Sequence, residues 1–338
     1  MPARRSNLAA AILAVIALIV IGFLLAPRSG PPAPSATATG AASTPTPTLV
    51  AVATTPATHP APWPSGLPEP SPPAGRQVEH VWWIVMENRE YGSIIGSKSA
   101  PYFNSLAAKY ALLTAYYATT HPSEPNYIAM VAGSTLGVTS DGTYNLTGDS
   151  LFSELAAAGQ PWRAYEQDIP PGCFTGDSAK AEPDGPGADG AYARKHDPAI
   201  SFTDVSGDTG QCANIQPLRD FDPAAAAFAF ITPNLINDMH DGSVAQGDAF
   251  LRDVVPLITA SPAFATGVLF ITFDEGSSNA GSHGDGGGHI ATLIVAPRIR
   301  AGTRVATYTD HFSLLRTTQE LLGLPCLAKS CERTAITY

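Results

Sequence analysis

Four β-rich runs limit what this chain can fold into: VWWIVM (81–86), FAFIT (228–232), VLFITF (268–273) and TLIVAP (292–297) are almost wholly apolar. A strand with one wet face alternates polar and apolar side chains, whereas a continuous apolar run needs cover on both faces. Helical patterns separate the runs: FNSLAAKYALL, LFSELAAAG, AFLRDVVPLI and FSLLRTTQELLG. The expected class is therefore α/β, a single domain whose mostly parallel central sheet carries helices on both faces. Ligands of such sheets bind outside the carboxyl ends of the strands. The first three runs lead straight into polar residues: Glu87 and Asn88, then Pro233 and Asn234, then Asp274 and Glu275. The fourth instead follows a glycine-rich segment that carries His289. No dinucleotide or P-loop glycine fingerprint follows any run, and no internal repeat is visible.

The beginning of the chain has a different character. Arg4 and Arg5 precede an uncharged apolar stretch over 8–26, long enough to span a bilayer as a signal anchor or transmembrane helix. Charges before the span place the remainder outside the cytoplasm, membrane-tethered through the N-terminal helix, or secreted if the segment is cleaved. Residues 27–76 are rich in Pro, Ala and Thr with almost no charge, which reads as a disordered stalk. That leaves 77–338 as the folded domain. Cys173, Cys212, Cys326 and Cys331 all fall within it. In an exported domain an even count suggests disulfides, and proximity pairs Cys326 with Cys331, leaving Cys173 with Cys212; four buried thiols are the alternative. The formal charge of −10 excludes the basic face that a nucleic-acid binder needs.

THPSEPNYIAMVAG (120–133) sets Ser123, Pro125 and Asn126 just before an apolar helical run. Ser123 reads as a helix cap, but a helix N-terminus also favours an anion, so Ser123 is read as cap and nucleophile together. Asn126 is expected to brace the turn. Glu87, Asn88, Asp274 and Glu275 each have an ordinary turn-capping reading. Jointly they suggest a cation, because neighbouring carboxylates repel unless a cation or a shared proton relieves them. Oxygen ligands suit Mg, Ca or Mn, and nearby histidines extend the choice to Zn.

The segments VWWIVMENREYGSIIG, HPSEPNYIAMVAGS, YARKHDPAISF, FAFITPNLINDMHDGSVAQGD, FITFDEG, GGGHIATLIVAP and DHFSLLRTTQELLGLP together resemble the bacterial phosphoesterase family of acid phosphatases and phospholipase-C-type enzymes, within the alkaline-phosphatase-like superfamily. The resemblance implies a serine nucleophile at Ser123 and a divalent metal cation held by Glu87, Asn88, Asp274 and Glu275. It also brings Asp238, His240 and His289 to the site, for a second metal or, as expected here, for phosphate. Lys195 and His196 complete the anion pocket or simply end a helical turn; His121, His283 and Asp285 are further candidates. The implied activity is hydrolysis of phosphate esters, monoesters above all, through a phosphoserine. The alternatives are a phospholipase-C-type diesterase and a silent envelope-binding module. The chain lacks the long appended domains of many lipid-cleaving relatives, and no cysteine lies in the C-x-P-x-R context of sulfatases.

Overall fold

The computed structural model describes residues 78–179, 192–281 and 286–338. The apolar stretch over 8–26, the linker over 27–76, His283 and Asp285 lie outside them. Among the described residues no helix is long and apolar enough to cross a membrane.

One sheet organises the domain. Its strands are β1 His80–Met86, β2 Ala111–Leu113, β3 Trp162–Glu166, β4 Ile215–Pro217, β5 Phe228–Thr232, β6 Gly267–Phe273, β7 Thr292–Val295 and β8 Thr303–Val305. Across the sheet they run β8-β2-β7-β6-β1-β5-β3-β4. Every residue of β5 and β6 is buried, as is all of β1 after His80, which is why these strands carry no alternation. Val81 pairs with Phe228 on one side and Val268 on the other, so β1 is the central strand. Helices α1 Pro101–Lys109, α2 Ser123–Ala132, α3 Leu151–Ala157, α4 Val244–Thr259 and α5 His311–Leu322 flank it. The helical pattern read in FNSLAAKYALL breaks at Tyr110, and Ala111–Leu113 joins the sheet as β2; three apolar residues between β7 and β8 are worth more to the core than another helical turn.

Seven strands run one way. Only β7 is reversed, antiparallel to both β6 and β2. The reversal explains the odd order of the fourth run: the amino end of β7 lies at the edge where its neighbours' carboxyl ends lie. His289, ahead of β7, thus reaches the same edge as Glu87, Asn88, Asp274 and Glu275.

The structure pairs Cys173 with Cys212 and Cys326 with Cys331. Disulfides persist in oxidising compartments, which makes this an extracytoplasmic domain. The Cys326–Cys331 loop lies on the end of α2: Lys329 N donates to Gly133 O at 3.0 Å, and a Cβ on Gly133 would stand 2.2 Å from Leu327 O. Gly133 also closes α2 at φ +65, so no other residue fits there.

Candidate active site

Four carboxylates form the floor of the site. β1 delivers Glu87, β6 delivers Asp274 and Glu275, and the loop after β5 delivers Asp238; Glu87, Asp274 and Asp238 are completely buried. Backbone bonds tie the strand ends together, Glu87 N to Asp238 O at 2.8 Å and Asp274 N to Met86 O at 2.9 Å. Two non-glycine residues here have left-handed backbone, Asn88 at φ +48 and Met239 at φ +84. Asn tolerates that region, whereas Met costs on the order of 1 kcal/mol or more and needs the surroundings to hold it. Arg89 does so, donating from Nη2 to Met239 O at 2.7 Å and Gly242 O at 3.0 Å.

Ser123 is the first residue of α2, and the cap position belongs to Pro122. The cap role read for Ser123 is therefore corrected: its hydroxyl does not turn back onto the helix. It donates instead to Glu87 Oε2 at 3.0 Å, with Glu275 Oε1 at 3.5 Å. The helix's own amide is served from elsewhere, since Asp141 Oδ1 accepts from Glu124 N at 3.1 Å. Asn126 braces the turn as expected, accepting from Thr119 N and Thr120 N and donating to Thr120 O and Pro122 O.

Burial pushes the Glu87 and Asp238 carboxyls well above the ordinary range, and Asp274 adds to both. Burial likewise lifts Asp274 to about 6 and, with Asp274 beside it, Glu275 to about 9. Asn88 Oδ1, Asp238 Oδ2 and Asp274 Oδ2 are buried and accept no hydrogen bond. Orphaned acceptors beside repelling carboxylates cost several kcal/mol in total, a debt that a cation removes. The donor set, oxygen with one imidazole nearby, fits a divalent ion. Among the described residues no group of three or more His, Cys, Asp or Glu side chains is arranged to hold a metal ion.

Above this floor sits a rim of donors. Lys195 Nζ lies 3.0 Å from Asp141 Oδ2 and 3.4 Å from His240 Nε2. Burial opposes its charge, but Asp141, Glu87 and Asp274 outweigh that and raise the ammonium's pKa. His240 is fixed through Asp241 Oδ1 at 2.7 Å and through its own N–H to Asp238 Oδ1. His121 places Nδ1 2.5 Å from Glu275 Oε2 and Nε2 2.8 Å from Asn279 Oδ1.

Three expected phosphate contacts stand differently. His196 is buried between carboxylates, Nε2 3.3 Å from Glu87 Oε1 and Nδ1 3.4 Å from Asp238 Oδ2, and burial drives its pKa well down. Asp238 belongs with the carboxylates, a place suited to a cation. His289 stacks between Tyr91 and Tyr117, and its Nε2 meets Thr114 O at 3.1 Å.

Sequence reasoning missed Tyr127, whose hydroxyl donates to Glu87 Oε1 at 2.5 Å while its ring stacks on His196. Its position four residues after Ser123, on the same helical face, was the available signal. Arg89, Asp141 and His311 carried no such signal.

Comparison with known proteins bears on what this geometry serves. The Phosphoesterase family model matches residues 97–325, well over half of the chain. The chain belongs to the Phosphoesterase family. It is 36% identical over 249 residues to the phosphatidylinositol-3-phosphatase of Mycobacterium tuberculosis, covering 73% of this chain and 77% of that one. A probable acid phosphatase of Kluyveromyces lactis is 29% identical over 265 residues, covering 75% and 61%. The acid phosphatase of Aspergillus fumigatus is 28% identical over 266 residues, covering 75% and 57%, so the chain spans less than two thirds of these fungal relatives. Among solved structures, a protein in the alkaline phosphatase superfamily from Vibrio parahaemolyticus shares the fold at a TM-score of 0.51 and 11% identity, covering 77% of this chain and 71% of that one. This member of the Phosphoesterase family is a hydrolase acting on phosphoric ester bonds.

Proposed function

We propose that the chain is a metal-dependent phosphomonoesterase, exported and membrane-tethered, whose domain over 77–338 uses Ser123 as its nucleophile. The observation that carries this reading is the Ser123 hydroxyl, buried at the start of α2 and aimed at Glu87 across 3.0 Å among acceptors that nothing else satisfies.

Glu87, Asn88, Asp274 and Glu275, with Ser123 Oγ, would hold the cation. When bound it lowers the pKa of the serine oxygen and offsets phosphate charge. Ser123 Oγ attacks phosphorus in line with the leaving alcohol, and Glu87 Oε2, already its acceptor, is placed to take the proton. The bond to the alcohol breaks and its oxygen takes a proton from solvent on the exposed side; water then attacks phosphorus from that side, the bond to Ser123 Oγ breaks, Glu87 returns the proton to Oγ and phosphate is released. Lys195 and His240 donate to the transferring oxygens, and Asp141 keeps Lys195 charged and in place. His121 stands at the exposed side, against Glu275, where the leaving alcohol departs.

A monoester carries one more charge than a diester and needs more donors around its free oxygens. The Lys195 and His240 rim supplies them, and the relatives' names are those of phosphatases. Turnover of p-nitrophenyl phosphate, bis-p-nitrophenyl phosphate and phosphatidylcholine, with and without chelator, tests the reading. Monoester turnover that stops with EDTA and returns with Mn²⁺ or Zn²⁺ is expected. A diester or lipid rate about tenfold above the monoester rate, or turnover indifferent to chelator, sinks it.

A further inference from the structure

We propose that His311 is a positioning residue for hydrolysis, holding the main chain of Asp274 so that one carboxylate oxygen is left facing Ser123 and the cation. The inference rests on the reading of the site given above. His311 opens α5, and its ring is completely buried. Nε2 lies 2.6 Å from the Asp274 carbonyl oxygen, and Nδ1 lies 3.1 Å from the Tyr116 hydroxyl, itself fully buried. A carbonyl can only accept, so Nε2 carries the proton and Nδ1 accepts from Tyr116. The tautomer is dictated by its two partners.

The remaining polar ends of Asp274 show what this contact achieves. Its N–H donates to Met86 O at 2.9 Å, and Oδ1 accepts from Asn88 N at 3.2 Å. With His311 on the carbonyl, every polar group is committed except Oδ2, the buried oxygen with no partner. These three contacts fix the main chain and Oδ1 of Asp274 and leave Oδ2 as the carboxylate oxygen available to a cation. The support is itself anchored. Asp310 caps α5 by accepting from Ser313 N at 2.9 Å, and Arg333 holds its Oδ2 at 2.8 Å through Nε.

The test compares the full chain with its His311→Phe and His311→Gln variants. Phe fills the ring's space without a donor, whereas Gln can present an amide N–H near the place of Nε2. Kinetics on p-nitrophenyl phosphate, equilibrium dialysis with Mn²⁺ and thermal unfolding are measured for each. Residues that orient metal ligands typically change affinity or activity by 10–100-fold, so His311→Phe should lose at least about tenfold in kcat and in Mn²⁺ affinity, with KM within about twofold. His311→Gln should recover to within about threefold although both variants melt at similarly lowered temperatures. Equal kcat losses in the two variants, or wild-type kcat and Mn²⁺ uptake in His311→Phe, overturn the proposal. Should His311→Phe fail to fold, Tyr116→Phe decides, since losing the hydroxyl frees the ring: a kcat reduced about threefold at constant KM supports it and an unchanged kcat overturns it. A wild-type chain that turns over no phosphoester sinks the functional reading instead. Mn²⁺ uptake across the variants then decides this one, equal uptake overturning it.

Discussion

The floor of the site and its rim are built by different means. Glu87 and Asp274 directly follow buried strands and Asp238 lies on the loop after β5; backbone bonds tie the three together, and none of them touches water. Lys195 sits on a short 3-10 helix and His240 and His121 on bends; their side chains are a quarter to a third exposed and meet Asp141, Asp241 and the Glu275–Asn279 pair. The floor is rigid because moving it means unpairing the central sheet. The rim can yield because moving it breaks side-chain contacts near the surface rather than strand pairing, contacts typically worth about 1 kcal/mol or less each. A site that must place charge within fractions of an ångström and still admit and release its substrate has use for both kinds of construction.

Mutations should therefore separate the two regions by size of effect. Ser123→Ala, which removes the proposed nucleophile that rests on the floor, should reduce kcat by on the order of 10³-fold or more and abolish any phosphoserine seen by intact mass after acid quench. Residual turnover near wild type would end the contrast at its centre. Asp274→Ala should follow, with activity down by at least about 100-fold and bound metal lost by elemental analysis, the melting temperature changing little because a catalytic ion is not the fold's main support. Full metal content in that variant would remove Asp274 from the floor's function.

On the rim, Lys195→Ala and His240→Ala should each lower kcat/KM by about tenfold while metal content stays at the wild-type level. Metal loss in either would erase the distinction between rim and floor. The smallest effect lies outside both regions. Burial raises the Glu154 carboxyl to about 7, with Gln319 donating to its Oε2 at 2.9 Å. The folded chain thus holds a proton there that the unfolded chain releases near its ordinary value of 4.5, so stability falls as pH rises from about 4.5 to 7. Glu154→Gln should remove that slope, melting about a degree or two higher at pH 8 and nearly unchanged at pH 4, with kcat unaffected. An identical pH slope in the variant would dismiss the carboxyl as its source.

How much of this was legible beforehand follows the same division. Continuous apolar runs announce buried strands, and residues directly after them inherit a place at the sheet's edge, so Glu87, Asn88, Asp274 and Glu275 could be read in one dimension. Lys195 and His196 are neighbours in sequence yet face different tasks, because a single tight turn points one to the rim and the other between carboxylates; spacing carries no record of that. Tyr127 was hidden by its type, since an aromatic on an apolar helix is most often core. Asp141 and His311 act through partners 17 and 37 residues or more away, Glu124 and Asp274, and only the folded chain brings them together. The reversed β7 was equally silent, because an apolar run reads the same in either direction.

The placement of β1 also has a history in time. It is the first strand of the domain to leave the ribosome, yet its neighbours are β5 and β6, whose Phe228 and Val268 face its Val81. Until those segments arrive, the strand that becomes the middle of the sheet is a bare apolar ribbon with both hydrogen-bonding edges open, the arrangement most inviting to a neighbouring chain. Pairing across so much sequence is slow to form. The yield of active protein should therefore respond to holdase supply more sharply than its equilibrium stability would suggest.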